Sequence, residues 1–387
     1  MNTLRFDQIL SAATGPDKIP GLVATFATDD GVRYEGAFGV RELGQPQPMT
    51  MATLLNIASM TKAVTGVAAM RCVERGLLSL DAPAGEVIPF LGRVQVLDGF
   101  DADGQPRLRP PTSPVTLRNL LTHTSGFVYE IWNGDLQRYL EVTGTPGLGS
   151  GTNASLETPL LFDPGGRWEY GIGIDWAGKL VEAVTGKRLG AYMADEIFGP
   201  LGMSSTSFER NADQSARRAT MHMRTPNGLV AAPAPANPGA REYDGGGGGL
   251  HSTAQDYLRF ARMLLHGGEL EGTRLLKPAT VALMSESHIG ALDVEPLRTV
   301  MPTLSNDCDF YPGMPQKWGL TFLINTTATP EGRSAGSLAW AGLLNTYYWI
   351  DPVKRVTGVI GAQILPFFDA EVMAVFCDFE RAVYDEL

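Results

Sequence analysis

Cysteine is scarce in this chain of 387 residues: Cys72, Cys308 and Cys377 are the whole supply. An odd number at wide spacing, with no CxxC pair, speaks against a disulfide framework and a structural zinc site. Cys72 and Cys377 stand in apolar sequence and are expected as buried thiols. Histidine is also sparse, with five residues and no HExxH-like spacing, so neither a metal site nor a cofactor is expected. Positive charge is in deficit: 31 Lys and Arg against 42 Asp and Glu leave a formal net charge of −11. No basic run interrupts that acidity, which argues against nucleic acid and anionic membrane surfaces as partners. No run of about 18 apolar residues is present to span a membrane. Residues Met1 to Ile19 lack a basic start followed by an apolar core, because Arg5, Asp7 and Gln8 break the stretch. The expectation is therefore a cytoplasmic, reduced protein.

What is present is an ordinary globular composition, 44% hydrophobic and 19% charged, without repeats or low-complexity tracts. The length allows roughly two or three domains or one large unit. A helix is predicted over Thr3–Ala13, then β-rich runs at Gly21–Thr28 and Val32–Val40 joined at Asp29-Asp30-Gly31, a hairpin signal. A helical pattern runs from Ser59 to Arg75 and stops at Gly76. Ser79–Pro114 reads as loop opening an inserted region. Helices are expected at Leu117–Leu121, Asp175–Thr185, Leu189–Phe198 and Thr253–Leu265. The last quarter turns strand-like at Trp318–Asn325, Ser337–Trp340, Asn345–Asp351 and Val356–Ile364, and ends in a helix over Phe368–Tyr384. The simplest arrangement is a mixed α/β (α+β) fold. One antiparallel sheet is built from residues 1–85 and 240–387, and a mostly helical domain, 86–239, is inserted between them.

Three elements carry chemistry. Ser59-Met60-Thr61-Lys62 opens a helix, and positions i and i+3 share a face, so Lys62 can reach the Ser59 oxygen. Alone this tetrapeptide is weak, because serine caps many helices. Trp168-Glu169-Tyr170-Gly171 follows a Pro-Gly-Gly turn and puts a phenol at a helix start. Trp340-Ala341-Gly342-Leu343 ends a strand-like run, where a small residue and a glycine let a substrate lie along the strand edge and a backbone N–H meet a carbonyl oxygen.

Together these boxes form the pattern of SxxK acyl-transferring enzymes. The chain resembles class C β-lactamases and, more closely, family VIII carboxylesterases, over nearly its whole length. The resemblance includes Leu121–Gly126 (LTHTSG), Phe162–Gly166 (FDPGG), Pro200–Met203 (PLGM) and the Gly245–Gly249 run followed by His251–Tyr257. It implies a β-lactamase/transpeptidase-like fold with Ser59 as nucleophile and Tyr170 as general acid/base. Lys62 would take the serine proton or tune the tyrosine, and the oxyanion hole would be the N–H groups of Ser59 and Leu343. Two departures stand out: Ile172 where the tyrosine box carries Asn, and Trp340-Ala341-Gly342 where the third box reads Lys-Thr-Gly. Loss of that lysine and gain of an indole favour small neutral carboxylic esters over β-lactams. The expected activity is a serine carboxylesterase acting through a Ser59 acyl-enzyme, in which Tyr170, kept basic by Lys62, takes the serine proton. The alternatives are an acyltransferase, amidase or β-lactamase on the same scaffold, or a non-catalytic binding module.

Trp340, Gly342 and Tyr129 are the expected substrate contacts, with interior packing an equal reading for Tyr129. His123 is read as holding the loop after its helix, and Gly245–Gly249 as close packing against the Ser59 helix rather than a phosphate loop. Gly332-Arg333-Ser334-Ala335-Gly336 matches a GxSxG elbow, but it follows a polar loop and precedes a strand-like run, which is the wrong context for a nucleophile. Acyl chain, alcohol and oligomeric state leave no mark in the sequence.

Overall fold

A computed structural model describes residues 3–232 and 241–387. Its centre is a seven-stranded antiparallel sheet. The amino-terminal strands β1 (Gly21–Thr28) and β2 (Gly31–Gly39) form one edge. The rest comes from the carboxyl-terminal end: β5 (Gln316–Trp318), β6 (Leu323–Asn325), β7 (Leu338–Gly342), β8 (Thr346–Asp351) and β9 (Val356–Gly361). The spatial order β5-β6-β7-β8-β9-β1-β2 joins the two ends of the chain through the β9–β1 pair. Gly31, at φ +128°, follows the Asp29-Asp30 turn and pairs with Thr28, as the hairpin signal required.

Both sheet faces are covered, so β8 and β9 are buried along their whole length and do not alternate. One face carries α1 (Thr3–Ala13) and the last helix, α8 (Ala370–Asp385). Phe6 and Phe379 meet there at 5.7 Å between ring centroids, and both contact Phe26 of β1. The other face carries α7 (Ala254–Leu265), whose Tyr257 packs on Tyr348 of β8. Thr253 is its N-cap, accepting from the Asp256 N–H at 3.2 Å. Next to α7 runs the buried helix α2 (Thr61–Glu74), whose Met60 carbonyl accepts the Tyr257 hydroxyl at 2.9 Å.

Three expectations change. Ser79–Pro114 is not all loop: β3 (Val96–Phe100) and β4 (Pro106–Arg109) form a hairpin, turned by Asp101 accepting from the N–H groups of Asp103 and Gln105, with Gly104 at φ +80°. Trp318–Asn325 is two strands, because the chain reverses at Gly319–Phe322, where every large side chain is buried and no alternation betrays the break. Cys377 is only partly buried, while Cys72 and Cys308 are buried; all three are free thiols. Along the chain, between the strands that supply the two halves of the sheet, come α3 (Leu117–Leu121), α4 (Gly134–Thr143), α5 (Gly173–Thr185) and α6 (Leu189–Met193). Helix α4 has no counterpart in the sequence reading. Helix α5 packs on α2, and of the proposed domain boundaries the one at 239/240 lies outside the described residues. No helix among the described residues is long and apolar enough to cross a membrane.

Candidate active site

Ser59 lies in a tight turn, Ala58–Met60, immediately before α2. Its side chain does not cap the helix. Instead the Lys62 ammonium donates to the Ser59 Oγ at 3.1 Å. The turn is held in an unusual shape. Ala58 has φ +41°, a conformation that costs a non-glycine residue roughly 1–2 kcal/mol. Two contacts impose it: Asn56 Oδ1 accepts the Ala58 N–H at 3.0 Å, and β7 packs on the preceding residue at Gly342. A Cβ on Gly342 would lie 2.3 Å from the Ile57 carbonyl oxygen. Gly342, expected to touch substrate, is therefore the point where strand and nucleophile turn close up.

Lys62 is fully buried and has three neighbours: Ser59 Oγ, the Tyr129 hydroxyl at 2.8 Å and the Gly247 carbonyl at 2.6 Å. Burial pulls its pKa down to about 7, against the opposing charge of Asp175. Asp175 is itself buried, accepts the Gly247 N–H at 2.9 Å, and is pushed up by burial while the Lys62 ammonium holds it down. Gly247 admits no side chain, since a Cβ would meet Asp175 Oδ2 at 2.3 Å. The glycine run thus packs on α2, with the Gly246 carbonyl accepting from Thr65 at 2.7 Å.

Tyr170 precedes α5 and is buried. Burial pushes its phenol well up, and hydrogen bonds from Ser59 and Trp340 pull it back. The Trp340 indole N–H donates to the Tyr170 oxygen at 2.9 Å, so this tryptophan is more than an apolar wall. Lys62 Nζ stands 4.7 Å from the centre of the Tyr170 ring. His123, at φ +58°, accepts the Gly171 N–H at 3.2 Å through Nδ1 and the Glu169 N–H through its carbonyl, which locks the loop bearing Tyr170. Burial and the nearby Lys62 charge hold its imidazole pKa well down.

Ser59, Tyr129, Tyr170, Trp340, Ala341 and Leu343 line one cavity of about 940 Å³. Lys62 lies behind that wall. Ile172 sits in the hydrophobic core. Ser334 of the GxSxG stretch lies in the β6–β7 loop, far from this arrangement in role: its N–H donates to Asp351, and the adjacent Arg333 pairs with buried Glu380. Sequence reasoning missed Asp175, Asn56 and the Gly247 carbonyl. Asp175 did leave a signal, a lone acid among Ile174, Trp176, Ala177 and Val181 on a buried helix.

This arrangement, a serine in the turn before a helix, a lysine in that helix's first turn, a tyrosine from a second segment and a strand of the central sheet, is that of the penicillin-recognising class. The chain belongs to the Beta-lactamase family, which it matches over residues 6–375. It is 33% identical to lovastatin esterase of Penicillium rubens, covering 95% of this chain and 94% of the relative. It is 31% identical to ML-236A carboxylate methylbutanoyltransferase mlcH of Penicillium citrinum, over 96% and 91% of the two chains. In structure it is similar to simvastatin synthase from Aspergillus terreus, with a TM-score of 0.86 at 30% identity over 99% of this chain and 98% of that one.

Proposed function

We propose that this protein is an acyltransferase that moves an acyl group from an ester donor to an alcohol through an ester on Ser59, with water as a competing acceptor. The observation that carries the reading is the cavity of about 940 Å³ around Ser59. A pocket at the upper end of the usual range of about 300–1,000 Å³ has room for an acyl chain together with a drug-sized acceptor. Relatives named as acyltransferases support the same reading. The carboxylesterase expected from the sequence becomes the hydrolytic branch of one reaction, a second reading favoured by the similarity to lovastatin esterase.

The chemistry follows from what each group can hold. Tyr170, pushed up by burial, rests as a neutral phenol, whereas Lys62, with a pKa of about 7, has a free lone pair in much of the population. The Lys62 ammonium donates to Tyr129, Gly247 and Ser59; on losing a proton it keeps the first two donations and turns its lone pair to the Ser59 hydroxyl, 3.1 Å away. Lys62 therefore takes the serine proton as Oγ attacks the donor carbonyl. The C–O bond to the leaving alcohol breaks, and that oxygen takes the Tyr170 proton. As the phenol gives up its proton the Trp340 N–H stabilises the forming phenolate, which the neighbouring Lys62 ammonium reprotonates, so both groups are neutral in the acyl-enzyme. The acceptor alcohol gives its proton to Lys62 and attacks the acyl carbonyl. Ser59 Oγ leaves with the Tyr170 proton, Lys62 passes its proton to Tyr170, and all groups are restored. The N–H groups of Ser59 and Leu343 are the oxyanion donors in this scheme.

The test is product analysis with p-nitrophenyl butanoate in the presence of benzyl alcohol at rising concentration. Benzyl butanoate rising at the expense of butanoate is expected; butanoate alone at every alcohol concentration would return the protein to a plain esterase.

A further inference from the structure

The cavity that Ser59 lines carries two chemically different groups of residues. One is apolar: Trp132, Leu297, Met301, Leu304 and Phe367, tied together by the Phe367 N–H on the Leu304 carbonyl and the Trp132 indole on Ser305. The other holds Arg210, Arg218 and Arg241 around His251. These three guanidinium groups make no ion pair among the described residues, in a chain whose net charge is −11. Three of the acids on the cavity wall are otherwise engaged. Asp244 pairs with Arg188 at 2.9 Å, Asp175 accepts the Gly247 N–H and feels the charges of Lys62 and Arg241, Glu130 accepts the Leu148 N–H, and Glu209 lines the wall without an ion pair to any of the three arginines.

The three arginines converge. Arg210 donates to His251 Nε2 at 3.1 Å, and His251 is held down to about pKa 4 by burial and then by the charges of Arg210, Arg218 and Arg241. His251 is thus neutral at pH 7 and adds no charge. Burial and the neighbouring Arg218 also pull the Arg210 pKa down. Like charges gathered without a counter-ion are costly, and a bound oxyanion relieves that cost through charge-assisted, bidentate hydrogen bonds.

We infer that Arg210, Arg218 and Arg241 form a subsite for an oxyanion, a carboxylate or phosphate, on the alcohol side of the substrate, while the acyl chain lies against the apolar group. The inference rests on the acyl-transfer reading only for that assignment of sides; the anion site stands on its own groups.

The probes are 4-(butanoyloxymethyl)benzoate, its neutral methyl ester and the matching 4-(butanoyloxymethyl)phenyl phosphate, hydrolysed by the wild type and by Arg218→Gln, Arg210→Gln and Arg218→Lys. Loss of one charged contact predicts a KM about tenfold or more higher for the anionic probes in the Gln variants. The neutral ester should change by less than about twofold, and Arg218→Lys should recover part of the loss, by the difference between a point charge and a guanidinium fork. Whichever anion loses more identifies the group bound. Equal effects on charged and neutral probes, or none on either, would overturn the subsite. Calorimetric titration with 4-(hydroxymethyl)benzoate and with inorganic phosphate gives an answer independent of chemistry at Ser59. Binding that is weakened by Arg218→Gln supports the site even if no ester is turned over, and absence of binding for both anions contradicts it.

Discussion

The most exacting consequence concerns the buried lysine. If Lys62 takes the Ser59 proton, acylation requires its neutral form, so the rate must rise with pH through the Lys62 pKa of about 7 and then level off. The sign follows from the role: a base works only after losing its own proton. The magnitude follows from the value. The neutral fraction goes from about one tenth near pH 6 to about nine tenths near pH 8, so kcat/KM should climb roughly tenfold and flatten above about pH 8. A lysine with an ordinary pKa of about 10.4 would give a climb of roughly a hundredfold over the same interval, still rising past about pH 10. The assay is kcat/KM for p-nitrophenyl butanoate across this range, followed at the isosbestic wavelength of the leaving group. A limb above about pH 9, or a profile flat from about pH 5, would refute the assignment of Lys62 as base.

Asp175 supplies the charge that holds the Lys62 pKa up, so Asp175→Asn should move this limb to lower pH, a shift that a merely loosened fold would not produce. Trp340→Phe keeps the ring but removes the donor to Tyr170. A hydrogen bond to a forming phenolate exceeds one to a phenol by about 1–2 kcal/mol, so kcat should fall roughly 5- to 30-fold with KM little changed, and a fall under twofold would discount the contact. Gly342→Ala forces a methyl onto the Ile57 carbonyl and Thr346 Oγ1; an overpacking cost of about 1–3 kcal/mol should lower the melting temperature, and displacement of the Ala58–Met60 turn should lower kcat further than the stability loss explains.

The fold was readable where local rules act alone. The Asp29-Asp30-Gly31 turn, the stop at Gly76 and the cap at Thr253 each express a backbone requirement in a few adjacent residues. The β5–β6 reversal was not readable, because its surroundings are buried on every side and leave no polar alternation. Ser59, Lys62, Tyr170 and Trp340 stood out as boxes at set distances along the chain, and the structure brings them to one place. From the sequence Tyr170 is expected to take the serine proton, whereas the proposed scheme gives it to Lys62, because burial pushes the phenol up and the lysine down. In that proposal Lys62 offers the lone pair because complete burial outweighs the charge of Asp175 from another helix, and a carbonyl 185 residues away orients the amine. Trp340 read as apolar surface, because nothing in a sequence tells which way an indole N–H points. The relatives moved the function from hydrolysis alone towards transfer, a choice between water and alcohol at one acyl-enzyme that residue types do not encode.

The central claim is the ester on Ser59, and intact-protein mass spectrometry tests it most directly. Mixed with p-nitrophenyl butanoate and quenched in acid within the first turnovers, the wild-type chain should gain the mass of one butanoyl group, on the peptide containing Ser59. The adduct should disappear when benzyl alcohol is added before the quench, and Ser59→Ala should gain nothing. A butanoyl group on another residue, or turnover undiminished in Ser59→Ala, would contradict the account.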